Sequence, residues 1–388
     1  MKTYSFGLPG LAMCALLASL SILAGCSGGS GNTQQNPAPS TRFQQTNLVS
    51  DISGVAAVTD PNLVNPWGIA LGPTGPFWIA DNGAHKATLY DGVGARQALV
   101  VSIPSPAAQG VGAPTGQVFN PTTEFKLLNG NPALFLFSTE DGTIAGWNQA
   151  AGATAVVVAD RSAFPTADSG AVYKGLAAGS NASGNFLYAA NFRSGTVDVF
   201  DMNFGIVLLA GSFTDPNLPA GYAPFGIQNI RGDLYVTYAR QDAAKHDDVD
   251  GPGAGLIDVY DTNGNLKRRF ATGSAAGGAV TALNSPWGLA LAPANFGAFS
   301  NALLVGNFGD GRISAFNVST GALIGQLQNS AGTSPLSIPG LWGLSLGNGS
   351  SAGSTGTLYF TAGIGDAPSF QNNRESHGLF GSLQPVTP

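Results

Sequence analysis

Polar side chains recur at one point of this sequence, directly after short apolar runs: Asp81 and Asn82, Glu140 and Asp141, Asn191, Arg240 and Asn307, with Asp366 near a sixth such place. Carboxylates and amides are hard oxygen donors, so a ring of them is a candidate cradle for Ca²⁺. An ion held there would polarise a carbonyl, and Glu140 or an aspartate would be the base that activates water. The same residues also suit turns in which an Asp or Asn side chain accepts bonds from its own backbone, and a feature repeated in every unit fits that structural role as well.

The polar stretch 240–255 (RQDAAKHDDVDGPGAG) is a second candidate, because it concentrates Lys245, His246, Asp247, Asp248 and Asp250 in a chain with only 10% charged residues. Asp248-x-Asp250-Gly251 has the carboxylate spacing and glycine of a small Ca²⁺ loop, although no bidentate Glu follows at the usual distance. Asp247, Asp248 and Asp250 are thus candidate metal ligands, and His246 and Asp248 stand beside Glu140 as candidate catalytic groups. The bland reading is a solvated surface loop. A third stretch, 369–377 (SFQNNRESH), carries Arg374, Glu375 and His377, and His85 stands near Asp81. Trp67, Trp287 and Trp342, with Phe225, each precede a glycine. They would either offer a stacking surface to a sugar or aromatic ligand or pack between structural units.

Several chemistries find no support. The 3 His show no His-x-x-x-His spacing, which argues against a zinc enzyme. There is no Gly-x-Ser-x-Gly elbow and no phosphate loop. A quinone-cofactor dehydrogenase would need a cluster of His and Arg that the repeated positions lack.

The elements that must carry these residues are short strands. Helical periodicity is nearly absent, and apolar runs alternate with Gly-rich punctuation. Each repeat opens on a glycine flanked by apolar residues, continues in an apolar strand with a polar end, and closes in a Gly-led strand ending in an aromatic and Asp or Asn. The units open at Gly68, Gly116, Gly175, Gly226, Gly288 and Gly343, separated by 48, 59, 51, 62 and 55 residues. Six such sheets around a channel make an all-β, six-bladed β-propeller, and glycine suits the crowded centre. The sixth unit lacks a fourth strand, so Phe43–Ser50 (FQQTNLVS) is expected to supply it and close the ring. The strand-entry loops and the second-to-third-strand turns share one face, which is the expected functional face.

The N-P-W-G-[IL]-A openings (65–70, 285–290) and the G-N-F-G-D-G turn (306–311) resemble NHL-type propellers. NPWGIA, KHDDV with GPG, DVYDTNG, and FTAGI with HGLFGSL resemble more closely a bacterial secreted propeller family, some of whose members carry a PEP-CTERM sorting tail. The resemblance covers roughly 43–384 and implies fold and compartment rather than a reaction. The polar ring resembles the metal centre of lactonase-type propellers.

The start of the chain sets the expected compartment. Lys2 precedes an apolar run, 11–24, too short for a good spanning helix, and Leu23-Ala24-Gly25-Cys26 reads as a lipoprotein box. Residues 1–25 are expected to be a signal peptide, Cys26 to carry the lipid, 26–41 to be a flexible tether and 42–388 the propeller. The lipid would replace the sorting tail as anchor, and Ser27 favours the outer membrane. With Cys14 in the leader, no intrachain disulfide forms. Removing Lys2 leaves 15 basic against 22 acidic residues, which argues against nucleic acid. The expectation is a monomeric envelope lipoprotein that binds a small ligand or an envelope protein, with a Ca²⁺-dependent lactonase-type hydrolase as the alternative.

Overall fold

Runs such as FWIAD and LIDVY are short and almost continuously apolar, and form strands buried on both faces. In the computed structural model, which describes residues 38–106, 110–164, 169–273 and 282–386, these strands make six sheets. The expected signal peptide, Cys26 and most of the expected tether lie outside the described residues.

The first strand, β1 (Phe43–Ser50), is followed by a two-residue β2 (Val58–Thr59). Blade one is β3 (Pro66–Leu71), β4 (Phe77–Asp81), β5 (Lys86–Tyr90) and β6 (Arg96–Ser102). Blade two is β7 (Pro114–Phe119), β8 (Phe135–Thr139), β9 (Thr143–Trp147) and β10 (Val156–Asp160). Blade three is β11 (Tyr173–Asn181), β12 (Gly184–Asn191), β13 (Thr196–Phe200) and β14 (Ile206–Val207). Blade four is β15 (Tyr222–Ile230), β16 (Asp233–Arg240), β17 (Leu256–Tyr260) and β18 (Leu266–Thr272). Blade five is β19 (Pro286–Leu291), β20 (Leu303–Asn307), β21 (Ile313–Phe316) and β22 (Leu323–Gln326). Blade six takes β23 (Leu341–Leu346), β24 (Leu358–Ala362) and β25 (Leu379–Pro385) from the end of the chain and β1 from its start.

That junction is the expected closure. β1 pairs antiparallel with β25 from Phe43↔Pro385 to Ser50↔Leu379. The buried Phe43 ring packs on Phe296, centroids 4.8 Å apart. Pairing the two ends leaves no open edge on the third strand of blade six.

The blade-opening glycines explain why the ring is narrow. A Cβ at Gly68 would lie 2.4 Å from the Thr115 carbonyl, at Gly116 2.3 Å from Leu176 N, and at Gly226 2.2 Å from the Trp287 carbonyl. At Gly288 it would lie 2.3 Å from the Trp342 carbonyl, and at Gly343 2.6 Å from that of Trp67. Each inner strand thus lies backbone to backbone on the next, around to blade one again. The register of the first strand pair shifts beside these glycines in every blade, as between Pro66 and Ile69 and between Pro286 and Leu289. Such a bulge re-aims the residue before the glycine. About 40 Å³ remains at the waist of the channel, room for little more than water.

Candidate functional site

First strands run away from the upper face, which carries Pro66 and Asp81, and second strands return to it. The residue before each blade-opening glycine enters the axis there: Trp67, Thr115, Lys174, Phe225, Trp287 and Trp342. So does the residue one past the second-strand partner of the opening: Asn82, Glu140, Phe192, Ala239, Phe308 and Gly363. Most of these twelve are apolar, and they fuse into one plug. Trp342 stacks on Trp67 at 3.6 Å and on Phe308 at 4.1 Å, with Trp287 edge-on to both tryptophans. Phe192 and Phe225 extend the cluster. Trp67 and Trp342 are 2% and 1% exposed, so their faces contact one another rather than solvent.

The plug is broken where blades two and three depart from the pattern. Lys174, 1% exposed, takes the place of an aromatic, with its ammonium 5.0 Å from the Trp67 ring centre. It donates to Glu140 Oε1 and, at 3.2 Å, to Asp247 Oδ1. Glu140 Oε2 accepts from Asn82 Nδ2 at 2.8 Å. Burial opposes the charge on Lys174, but the two carboxylates outweigh it and hold its pKa above the usual value. Neither the repeat pattern nor the charge-rich loops pointed to this lysine. The signal was its position, where three other blades carry Trp and one Phe.

Two long connections between second and third strands roof the plug. The 241–255 connection of blade four brings Asp247 to Lys174, and His246 Nδ1 lies 2.9 Å from the same Asp247 oxygen. The bond to Asp247 raises His246, and the same bond pushes Asp247 below the carboxylate range. Burial pushes Asp248 up to about 6, against the lowering effect of a bond to Ser285 and of the Lys174 charge. The 363–378 connection of blade six brings Arg374 to Asp250 at 2.7 Å and over the Phe308 ring. It also brings Glu375 to Asn65 Nδ2 at 3.2 Å. Burial, then the negative charge of Glu140, pushes Glu375 up to about 7. His377 Nδ1 lies 2.6 Å from Asp51, beside the closing strand. The charge-rich stretches of blades four and six therefore meet over the axis.

The recurrent polar residues do not form one ring. Asn82 and Glu140 reach the axis. Asp81 is fully buried inside blade one, accepts from Thr88 Oγ1 at 2.7 Å, and is pushed well above the carboxylate range by burial. Asn191 bonds Asp198 and Val172 N, and Asn307 bonds Asn284 N and the Ala282 carbonyl. These three brace strand ends and the incoming connection. Arg240 is an exposed strand end, because the axial partner in blade four falls at Tyr238↔Pro224. Asp366 accepts from Asn373 within its own loop.

Among the described residues, one group of three offers converging metal-ligand atoms: Glu140, His246 and Asp247, within 4.8 Å of one another. The group does not fit a calcium ion. The Lys174 ammonium already bonds two of its three members, and a divalent ion would have to displace a buried cation from both carboxylates. Of the three candidate ligands in the 247–250 stretch, Asp247 pairs with Lys174 and Asp250 with Arg374.

The lower mouth was not foreseen. It opens into a cavity of about 330 Å³ lined by Ile69, Leu71, Gln117, Phe119, Gln228 and Ser345 among others, none of them charged. Its residues lie on the inner strands just past the glycines, where alternation shows only that they face the channel.

No protein-family model matches the chain. It is 34% identical over 313 residues to the uncharacterized protein R648 of Acanthamoeba polyphaga mimivirus, covering 78% of this chain and 74% of that one. It is 34% identical over 305 residues to L690 of the same virus, covering 76% and 77%. Among solved structures, the soluble aldose sugar dehydrogenase of Escherichia coli superposes with a TM-score of 0.51 at 13% identity, covering 89% of this chain and all of that one, a likeness of fold alone. By the extent of the sequence match, this six-bladed propeller belongs to the same protein family as the mimivirus proteins R648 and L690.

Proposed function

We propose that this chain is a lipid-anchored protein of the bacterial envelope, monomeric, whose propeller binds a small ligand or an envelope protein on its upper axial face without a metal ion. The carrying observation is Lys174. Its ammonium supplies from within the chain the positive charge that Glu140 and Asp247 would otherwise draw from a metal. A site neutralised in this way presents a finished polar surface to a partner. The lipoprotein box ending at Cys26 supports the anchor. The test is elemental analysis of the purified protein with melting curves in the presence and absence of EDTA. No stoichiometric metal and an unchanged midpoint are expected, and a bound divalent ion whose removal lowers the midpoint overturns the metal-free reading. Cys26→Ser should release the protein from membranes; unchanged fractionation refutes the anchor.

A hydrolytic reading keeps one observation in its favour. Glu375, pushed up to about 7, and Glu140, paired with Lys174, form two carboxyl groups in contrasting environments, the pattern of an acid–base pair. Turnover of lactones or esters that Glu375→Gln abolishes would establish it.

A further inference from the structure

The chain enters the propeller on the face opposite the Lys174 network. The 292–302 connection joins the far ends of β19 and β20, so it belongs to the lower face. Ser40 is held on it: Ala298 N donates to the Ser40 carbonyl at 2.9 Å, and a Cβ at Gly297, whose φ is +58°, would lie 2.4 Å from that oxygen. Pro39 and Ser40 line a cavity with Asn295 of blade five, Ser354 of blade six and Pro385 at the lower end of β25. Upstream runs Ser27–Pro39, Gly- and Ser-rich, to the cysteine of the lipoprotein box. As the flexible tether expected from its sequence, that stretch would span roughly 20 Å on average. The described chain therefore begins on the lower face, the side from which a lipid anchor upstream would act.

The lower face has the surface for that position. Leu128, at the tip of the 120–134 excursion of blade two, is 96% exposed, and Val93, in the turn between β5 and β6, is 73% exposed. Met202, in the matching turn of blade three, is 43% exposed. The aspartates of these turns are used locally: Asp91 accepts from Val93 N and Ala95 N, and Asp201 from Asn203 N and Gly205 N. The cavity at the lower mouth is lined without a charged side chain. Charge on this face is paired within it, as between Lys267 and Asp233 at 2.7 Å beside the lower turns of blade four.

We infer that the lower face of the propeller rests on the lipid bilayer, with Leu128 and Val93 at the level of the headgroups, so that the Lys174 network points away from the membrane. This inference rests on the lipid anchor of the proposed function. Short-range tethering keeps the apolar tips at high effective concentration next to lipid, and their burial adds to the acyl chains as a second membrane signal.

The test uses the full lipidated protein in phosphatidylcholine vesicles. Cys14 lies in the leader and Cys26 would be acylated, so an introduced cysteine is the only free thiol. Leu128→Cys reports on the lower face and Ala244→Cys on the exposed roof loop. Each carries an environment-sensitive fluorophore and is quenched by nitroxide-labelled lipid. Quenching several-fold stronger at 128 than at 244 is expected. Equal quenching, or stronger quenching at 244, overturns the orientation, as does a disulfide-trapped dimer of the unlabelled Leu128→Cys variant, which would show that a second copy covers this face. Flotation with the vesicles separates the two failures. If the protein floats, and Cys26→Ser does not, a negative quenching result falls on the orientation alone. If Cys26→Ser floats equally, the anchor fails and the inference fails with it.

Discussion

Replacing Lys174 with methionine keeps the length of the side chain and removes its charge. In the native protein that charge is shared between Glu140, whose side chain is 14% exposed, and Asp247, which is 67% exposed. The partners respond differently. Asp247 turns to water, and its loss counts for well under about 1 kcal/mol, as for an exposed ion pair. Glu140 stays where it is, with Asn82 as its remaining donor, and becomes a carboxylate buried beside an aromatic plug. Removing one partner of a buried pair costs roughly 3–5 kcal/mol, and the retained Asn82 bond puts this case near 3. For a domain of roughly 350 residues, about 3 kcal/mol lowers the midpoint by about 4 °C. Urea unfolding and calorimetry should agree on that loss. Adding Glu140→Gln should recover most of it, because the buried charge then disappears with its partner. A double variant no more stable than Lys174→Met, or a single variant within about 0.5 kcal/mol of the parent, refutes the claim that this pair organises the axis.

Gly288→Ala places a methyl group 2.3 Å from the Trp342 carbonyl and should cost more than about 3 kcal/mol, whereas Gly75→Ala, with nothing within 4 Å, should stay within about 0.5 kcal/mol; urea midpoints compare the two. A chain lacking Phe43–Ser50 leaves the β25 edge unpaired, and a melting midpoint as high as the parent's refutes closure by β1. Glu375 gives a pH prediction. Its folded pKa, about 7, lies above the ordinary value of 4.5, so the folded state binds the proton more tightly. The stability this provides is complete below about 4 and is lost as pH rises through 7. Glu375→Gln should flatten the fall between those limits, by about 3 kcal/mol, and an unchanged pH profile of unfolding refutes it.

The ring was legible because it rests on backbone geometry repeated six times. A glycine is required wherever an inner strand touches its neighbour, and a closing strand wherever a blade runs short. Phe43–Ser50 was therefore readable from its alternation and its position alone. The site was less legible because sequence repeats do not report where a side chain points. Asp81, Asn191 and Asn307 share the pattern with Asn82 and Glu140, yet they end as internal braces. One residue along the strand turns a side chain from the blade to the axis, and the bulge beside each opening glycine decides which residue that is. Blade four shifts the axial partner to Tyr238↔Pro224, which leaves Arg240 outside. Lys174 escaped notice because it lies in an apolar opening rather than in a charge-rich loop.

Symmetry also limits where specificity can arise. Six similar blades present six similar groups to the axis, so a distinct surface forms only where the repeat is broken. Blades one and two contribute Asn82 and Glu140, blade three contributes Lys174, and blades four and six close over them with Asp247, Asp250, Arg374 and Glu375. Of these contacts, the one between Lys174 and Asp247 is the most exchangeable, because Asp247 is largely exposed and Lys174 is not. On the binding reading proposed above, a molecule entering beneath the roof loop would displace Asp247 first. It then faces an ammonium group that cannot reach bulk water, and leaving that group short of an acceptor carries the penalty of an incompletely paired buried charge. If the upper face binds a ligand as proposed, its chemistry would therefore favour one that brings an oxygen acceptor, preferably anionic, to Lys174 over one that is purely apolar.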